Sequence, residues 1–103
     1  MFDFKNLTRI PGIASKAPTA MEGFKTLDTA ALADGAIPKK HKELMALAVA
    51  LTTQCGYCLE VHRRAALRAG ATEEELAETV FVAVALRAGA ALTHGTHLFE
   101  DKK

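Results

Sequence analysis

The chain has no tryptophan, one tyrosine, three prolines and two cysteines in 103 residues, and valine and isoleucine together number only eight. So small a stock of β-branched residues argues against a sheet, because strands draw on them to cover a pleated face. Two cysteines are too few for a disulfide-dense secreted framework, and under reducing conditions such a pair reads as redox-active or metal-binding. Thirteen basic residues against twelve acidic ones leave a net charge of +1, which removes the electrostatic basis for binding nucleic acid or a membrane surface. The start Met1-Phe2-Asp3-Phe4-Lys5-Asn6 lacks the basic stretch and long apolar run of a secretory signal, so a cytoplasmic chain is expected. The longest strongly apolar run, Leu44 to Leu51, falls far short of the roughly 20 residues of a membrane span, and it is read as a core helix.

Alanine is what the chain has in excess, at 20 residues. Since alanine is the strongest helix former, the composition predicts an all-α fold, an antiparallel bundle of about five to seven short helices in one domain over 1–103. A core built on alanine is thin, and a domain of this size buries only about 60 to 70% of its chain surface. Self-association is the expected remedy.

Residues 1–17, with Pro11 and Gly12 and little periodicity, read as an extended arm that packs over a neighbour. Thr19 and Glu22 have the spacing of a capping box, opening a first helix through Met21, Phe24, Leu27 and Leu32 to Gly35. Pro38 suits the first turn of a second helix, apolar on two sides through Leu44, Leu47, Leu51, Met45 and Val49. A third helix begins near Cys55 and stops at Gly70, with Arg63, Arg64 and Arg68 as a solvated cluster complementing its dipole. Thr72 and Glu75 form a second capping box, opening a fourth helix that Gly89 is expected to break or kink. A last short helix would carry Leu92, His94, His97 and Leu98, before the charged tail Glu100 to Lys103.

The stretch Cys55-Gly56-Tyr57-Cys58-Leu59-Glu60-Val61-His62 carries the chemistry. Helical positions three and four apart share a face, so Cys55, Cys58 and His62 line up while Tyr57 and Glu60 point elsewhere. A helix start favours an anion and so a thiolate, His62 lies one turn below Cys58, and two thiols at this spacing can close a reversible disulfide. Counting back from the turn near Thr53, at about 1.5 Å per residue, sets Glu43 on the second helix level with His62. A carboxylate there needs a partner, and His62 fits; a surface pairing with Lys39 or Lys40 is the other outcome. A metal site built from Cys55, Cys58, His62 and one of His94 or His97 is a rival, although structural zinc sites usually bring paired ligands on both arms. His41, His94 and His97 otherwise read as surface or packing residues.

Glu43 followed after eleven residues by Cys55-x-x-Cys58-x-x-x-His62 sits between Leu44-Met45-Ala46-Leu47-Ala48-Val49-Ala50-Leu51 and Arg64-Ala65-Ala66-Leu67-Arg68-Ala69-Gly70-Ala71-Thr72-Glu73-Glu74-Glu75. In this pattern, over about residues 18–95, the chain resembles the carboxymuconolactone decarboxylase family, in its AhpD-like (alkylhydroperoxidase) branch. The resemblance implies a compact helical bundle of the AhpD-like type and a peroxide-reducing dithiol. One thiolate attacks the peroxide and the other cysteine resolves the sulfenic acid, while Glu43 and His62 relay protons; by the helical spacing Cys58, with His62 one turn below it, is taken as the attacker, although the helix start favours Cys55. It further implies a hydroperoxide substrate, a dithiol, thioredoxin-like or lipoyl electron donor, no cofactor, and a homo-oligomer, trimer or hexamer. Some members have a second histidine between the cysteines, where this chain has Gly56 and Tyr57. Lactone-acid decarboxylation, which gives the family its name, is the alternative enzyme reading.

Overall fold

In the computed structural model, which describes residues 2–101, all regular structure is helical: α1 (Ile10–Lys16), α2 (Pro18–Leu32), α3 (Lys39–Thr53), α4 (Gly56–Arg68) and α5 (Glu73–His94), with 3-10 helices at Phe4–Arg9 and Gly95–Leu98. Met1 and the tail residues Lys102 and Lys103 lie outside the described residues. The all-α expectation holds.

The bundle proper is α3 packed against α4 and α5. Its core is small: Leu47, Ala66 and Ala71 are buried, with Leu44, Leu59 and Leu76 packed partly against them. Short alanine side chains bring α3 and α4 close, and Ala66 is wholly covered. The connection from α3 to α4 is tight because Gln54 adopts a left-handed conformation (φ 58°), which lets the Cys55 N–H donate to the Ala50 carbonyl at 3.0 Å. At the far end of α4, Gly70 has φ 97°, and the Gly70 and Ala71 amides bond back to the Leu67 and Ala66 carbonyls, closing the helix as its glycine predicted. The Thr72 hydroxyl accepts from the Glu75 amide at 3.1 Å, and the Glu75 carboxylate accepts from the Thr72 amide at 2.9 Å, so this capping box forms. Glu75 also meets Lys40 Nζ at 2.9 Å, tying the start of α5 to α3.

Three local expectations are corrected. Of the arm expected to be extended over residues 1–17, the stretch Phe4–Lys16 is helical, since the Asp3 side chain accepts from the Lys5 amide to start the 3-10 helix and Pro11 falls in the first turn of α1. Thr19 and Glu22 make no capping box: Pro18, with its fixed φ, opens α2 one residue earlier, leaving Thr19 inside the first turn. Gly89 does not break α5, because the roughly 1 kcal/mol cost of a mid-helix glycine is outweighed by the alanines around it; of the segment read as a separate last helix, Leu92 and His94 fall within α5, while His97 and Leu98 lie in the 3-10 helix Gly95–Leu98 that follows it.

The molecule is elongated. Its radius of gyration is 17.6 Å and its longest extent 59 Å, against about 13 Å for a compact chain of 100 residues. Helix α2 buries no residue, and the outer face of α5 leaves Phe81, Leu86 and Leu92 exposed. As one continuous element, Glu73–Leu98 is long and apolar enough to cross a membrane by length and composition, which the shorter apolar runs of the sequence did not suggest.

Candidate redox site

The left-handed turn at Gln54 delivers Cys55 as the N-cap of α4, where its sulfur accepts from the Cys58 amide at 3.2 Å. A sulfur in that position takes up one of the amides that a helix start leaves unpaired. Cys55 and Cys58 are joined as a disulfide, with Cα atoms 5.3 Å apart, and both are half-buried. One turn further along α4, His62 presents Nδ1 to Glu43 Oε2 at 3.0 Å.

Glu43 is the buried charged side chain of the core, with only 2% of its surface exposed. The surface alternative for it is therefore corrected, although Lys39 Nζ does stand 3.7 Å from its other carboxylate oxygen, while Lys40 turns to Glu75 instead. When Glu43 is ionised its carboxylate can only accept, an arrangement in which Nδ1 donates to it and Nε2 is the ring nitrogen free to take a proton. The register counted from the sequence thus brings Glu43 and His62 together, with the cysteine pair on the same helix. Among the described residues no three His, Cys, Asp or Glu side chains gather as a metal site, and His94 and His97 instead pack edge to face, centroids 4.9 Å apart, at the end of α5.

Arg63 and Arg64 both donate to Glu60, at 3.3 and 2.7 Å, and Arg64 first, then Arg63, holds that carboxyl below the usual carboxylate range. These arginines are exposed, in keeping with a solvated cluster.

A second set of contacts gives no signal of periodicity or motif. The Tyr57 hydroxyl accepts from Asn6 Nδ2 at 2.8 Å and lies 3.4 Å from the Asp3 amide. The Phe2 ring packs on the Tyr57 ring with centroids 4.6 Å apart, and it sits so close to Gly56 that a Cβ there would come within 2.8 Å of it. Arg64 stacks over Phe4 at 5.5 Å. The N-terminal segment is thereby laid on the two residues between the cysteines.

With the helical hairpin, the cysteine pair and the Glu43 to His62 contact in place, the comparisons with known proteins agree. The profile of the carboxymuconolactone decarboxylase family matches residues 18–101. The chain is similar to the uncharacterized protein 4 in the cox locus of Paracoccus denitrificans, at 44% identity over 81% of this chain and 76% of that one. It is also similar to an uncharacterized protein of Cupriavidus necator, at 39% identity over 70% of this chain and 64% of the relative. Among solved structures, a carboxymuconolactone decarboxylase family protein from Legionella pneumophila, in its apo form, superposes with a TM-score of 0.76 at 37% identity, over 89% of this chain and 82% of that one. A protein from Methanobacterium thermoautotrophicum superposes with a TM-score of 0.74 at 35% identity, over 81% and 95%. The chain belongs to the carboxymuconolactone decarboxylase family.

Proposed function

We propose that the chain is a thiol-dependent peroxidase of the AhpD-like kind, in which Cys55 and Cys58 cycle between dithiol and disulfide and His62, oriented by Glu43, moves the protons. The observation that carries this reading is the buried Glu43 carboxylate on His62 Nδ1, one helical turn from Cys58. A cysteine pair that served only as a staple would have no use for a buried charge held against an imidazole.

In the reaction, His62 Nε2 takes the Cys58 proton and the thiolate attacks one oxygen of the hydroperoxide. A sulfur–oxygen bond forms, the oxygen–oxygen bond breaks, and the leaving alkoxide takes the proton back from His62 as an alcohol. Cys55 then attacks the Cys58 sulfenic acid. Its sulfur displaces hydroxide, which leaves as water with the Cys55 proton, and the disulfide of the structure is the product. Two electrons from a dithiol donor, thioredoxin-like or lipoyl, restore the pair. The first attacker is assigned to Cys58 because His62 follows it at i+4, the spacing at which helical side chains meet.

Steady-state turnover of alkyl hydroperoxides with several dithiol donors tests the reading. Turnover abolished by Cys58→Ser supports it; a protein whose disulfide is reduced and reoxidised by donors yet never consumes hydroperoxide would be a disulfide reductase. The exposed faces of α2 and α5 are assigned to contacts with further copies of the chain, in a trimer or hexamer.

A further inference from the structure

The segment Phe2–Asn6 lies on the redox helix at the Gly56 backbone and the Tyr57 side chain, and further along the helix Arg64 stacks over Phe4. Gly56 has no side chain to hold the ring away, and the Tyr57 hydroxyl receives the Asn6 amide. A peroxide or a small dithiol needs access to one sulfur atom. A protein dithiol needs more, because in a mixed disulfide its own chain must lie alongside the residues between the cysteines. That strip is the surface which Phe2 occupies.

We propose that Phe2–Asn6 is a strap that sets which electron donors reach the Cys55–Cys58 disulfide: small dithiols react with the strap in place, and a protein dithiol reacts only when it lifts. The proposal rests on the pair being redox-active but not on peroxide being its substrate. An aromatic pair and a hydrogen bond are enough to keep the lifted form near a tenth of the population, and the apparent rate with a protein donor is reduced to about that fraction of its unobstructed value.

The test measures second-order rates of disulfide reduction in the intact 103-residue chain by dithiothreitol and by reduced thioredoxin, read by trapping and counting thiols. Phe2→Ala and Asn6→Ala free the strap from its own side, and Gly56→Ala frees it from the helix side, since the added Cβ would strike the Phe2 ring. All three are expected to raise the thioredoxin rate up to about tenfold while moving the dithiothreitol rate less than about twofold. Equal changes with both donors, or no change with thioredoxin in Phe2→Ala and Gly56→Ala, would overturn the strap. Circular dichroism confirms that each variant is folded. Hydroperoxide turnover by the unaltered protein is scored separately, so loss of the peroxidase reading leaves these rates still decisive.

Discussion

Glu43 carries its charge inside a core of leucine and alanine, and His62 is the group that justifies it. Glu43→Gln keeps the shape and removes the charge that fixes the imidazole. The expected outcome is peroxide reduction slowed by roughly tenfold to several hundredfold, with slower alkylation of the reduced cysteines at neutral pH and an unchanged circular dichroism spectrum. His62→Ala should do similar harm, and the double variant should be little worse than either, because members of one relay are not additive. Unchanged alkylation rates in Glu43→Gln would remove Glu43 from the relay. This pairing was legible in the sequence because a short helical hairpin converts residue counting into distance, and a buried carboxylate has few places to turn. Phe2 was not legible: its contact with Gly56 and Tyr57 spans more than fifty residues and depends on the path of an arm that follows no periodicity.

Helix ends were the part of the elements best read from sequence, and they offer two measurements. Gly70 holds a left-handed φ of 97°, so Gly70→Ala should destabilise by about 1 to 2 kcal/mol, visible as a lower midpoint in urea. Glu75 closes the capping box of α5 and pairs with Lys40, and the Lys40 hydrogen bond first, then the Thr72 amide, holds its carboxyl below its ordinary value of 4.5. A carboxyl depressed in the folded state stabilises above the unfolded value, and this is lost as the pH falls through the folded one. Thermal midpoints should therefore drop as the pH is lowered below about 4.5, and drop less steeply in Glu75→Gln. The signature that worked at Thr72 and Glu75 failed at Thr19 and Glu22 because Pro18 had already begun the helix. Gly89 misled for a related reason: one unfavourable residue is weighed against a whole run of alanines, and the run decides.

At the scale of the molecule, the missing burial is the governing fact. The core is small, α2 buries none of its own residues, and α5 turns a long apolar face outward. Proteins rarely leave so much contiguous apolar surface to water. Sedimentation at micromolar concentration should find a multiple of 11.0 kDa, and Phe81→Glu together with Leu92→Glu should shift it toward smaller species. A stable monomer would refute self-association, and a requirement for detergent would assign the face of α5 to lipid. The sequence announced a thin core through its alanine content, but it could not place the uncovered surface, because exposure depends on how the helices pack in space, and α2 touches α3 only lightly.

Tyr57 stands between the two cysteines, and with no tryptophan in the chain it is the sole strong near-ultraviolet emitter. Disulfides quench the fluorescence of an adjoining phenol, whereas thiols do so less. The protein therefore contains an optical gauge of its own oxidation state, needing no label: emission excited near the tyrosine band should brighten as the bond opens and dim as peroxide closes it. Emission indifferent to reduction would mean that Tyr57 and the sulfurs are not optically coupled in solution.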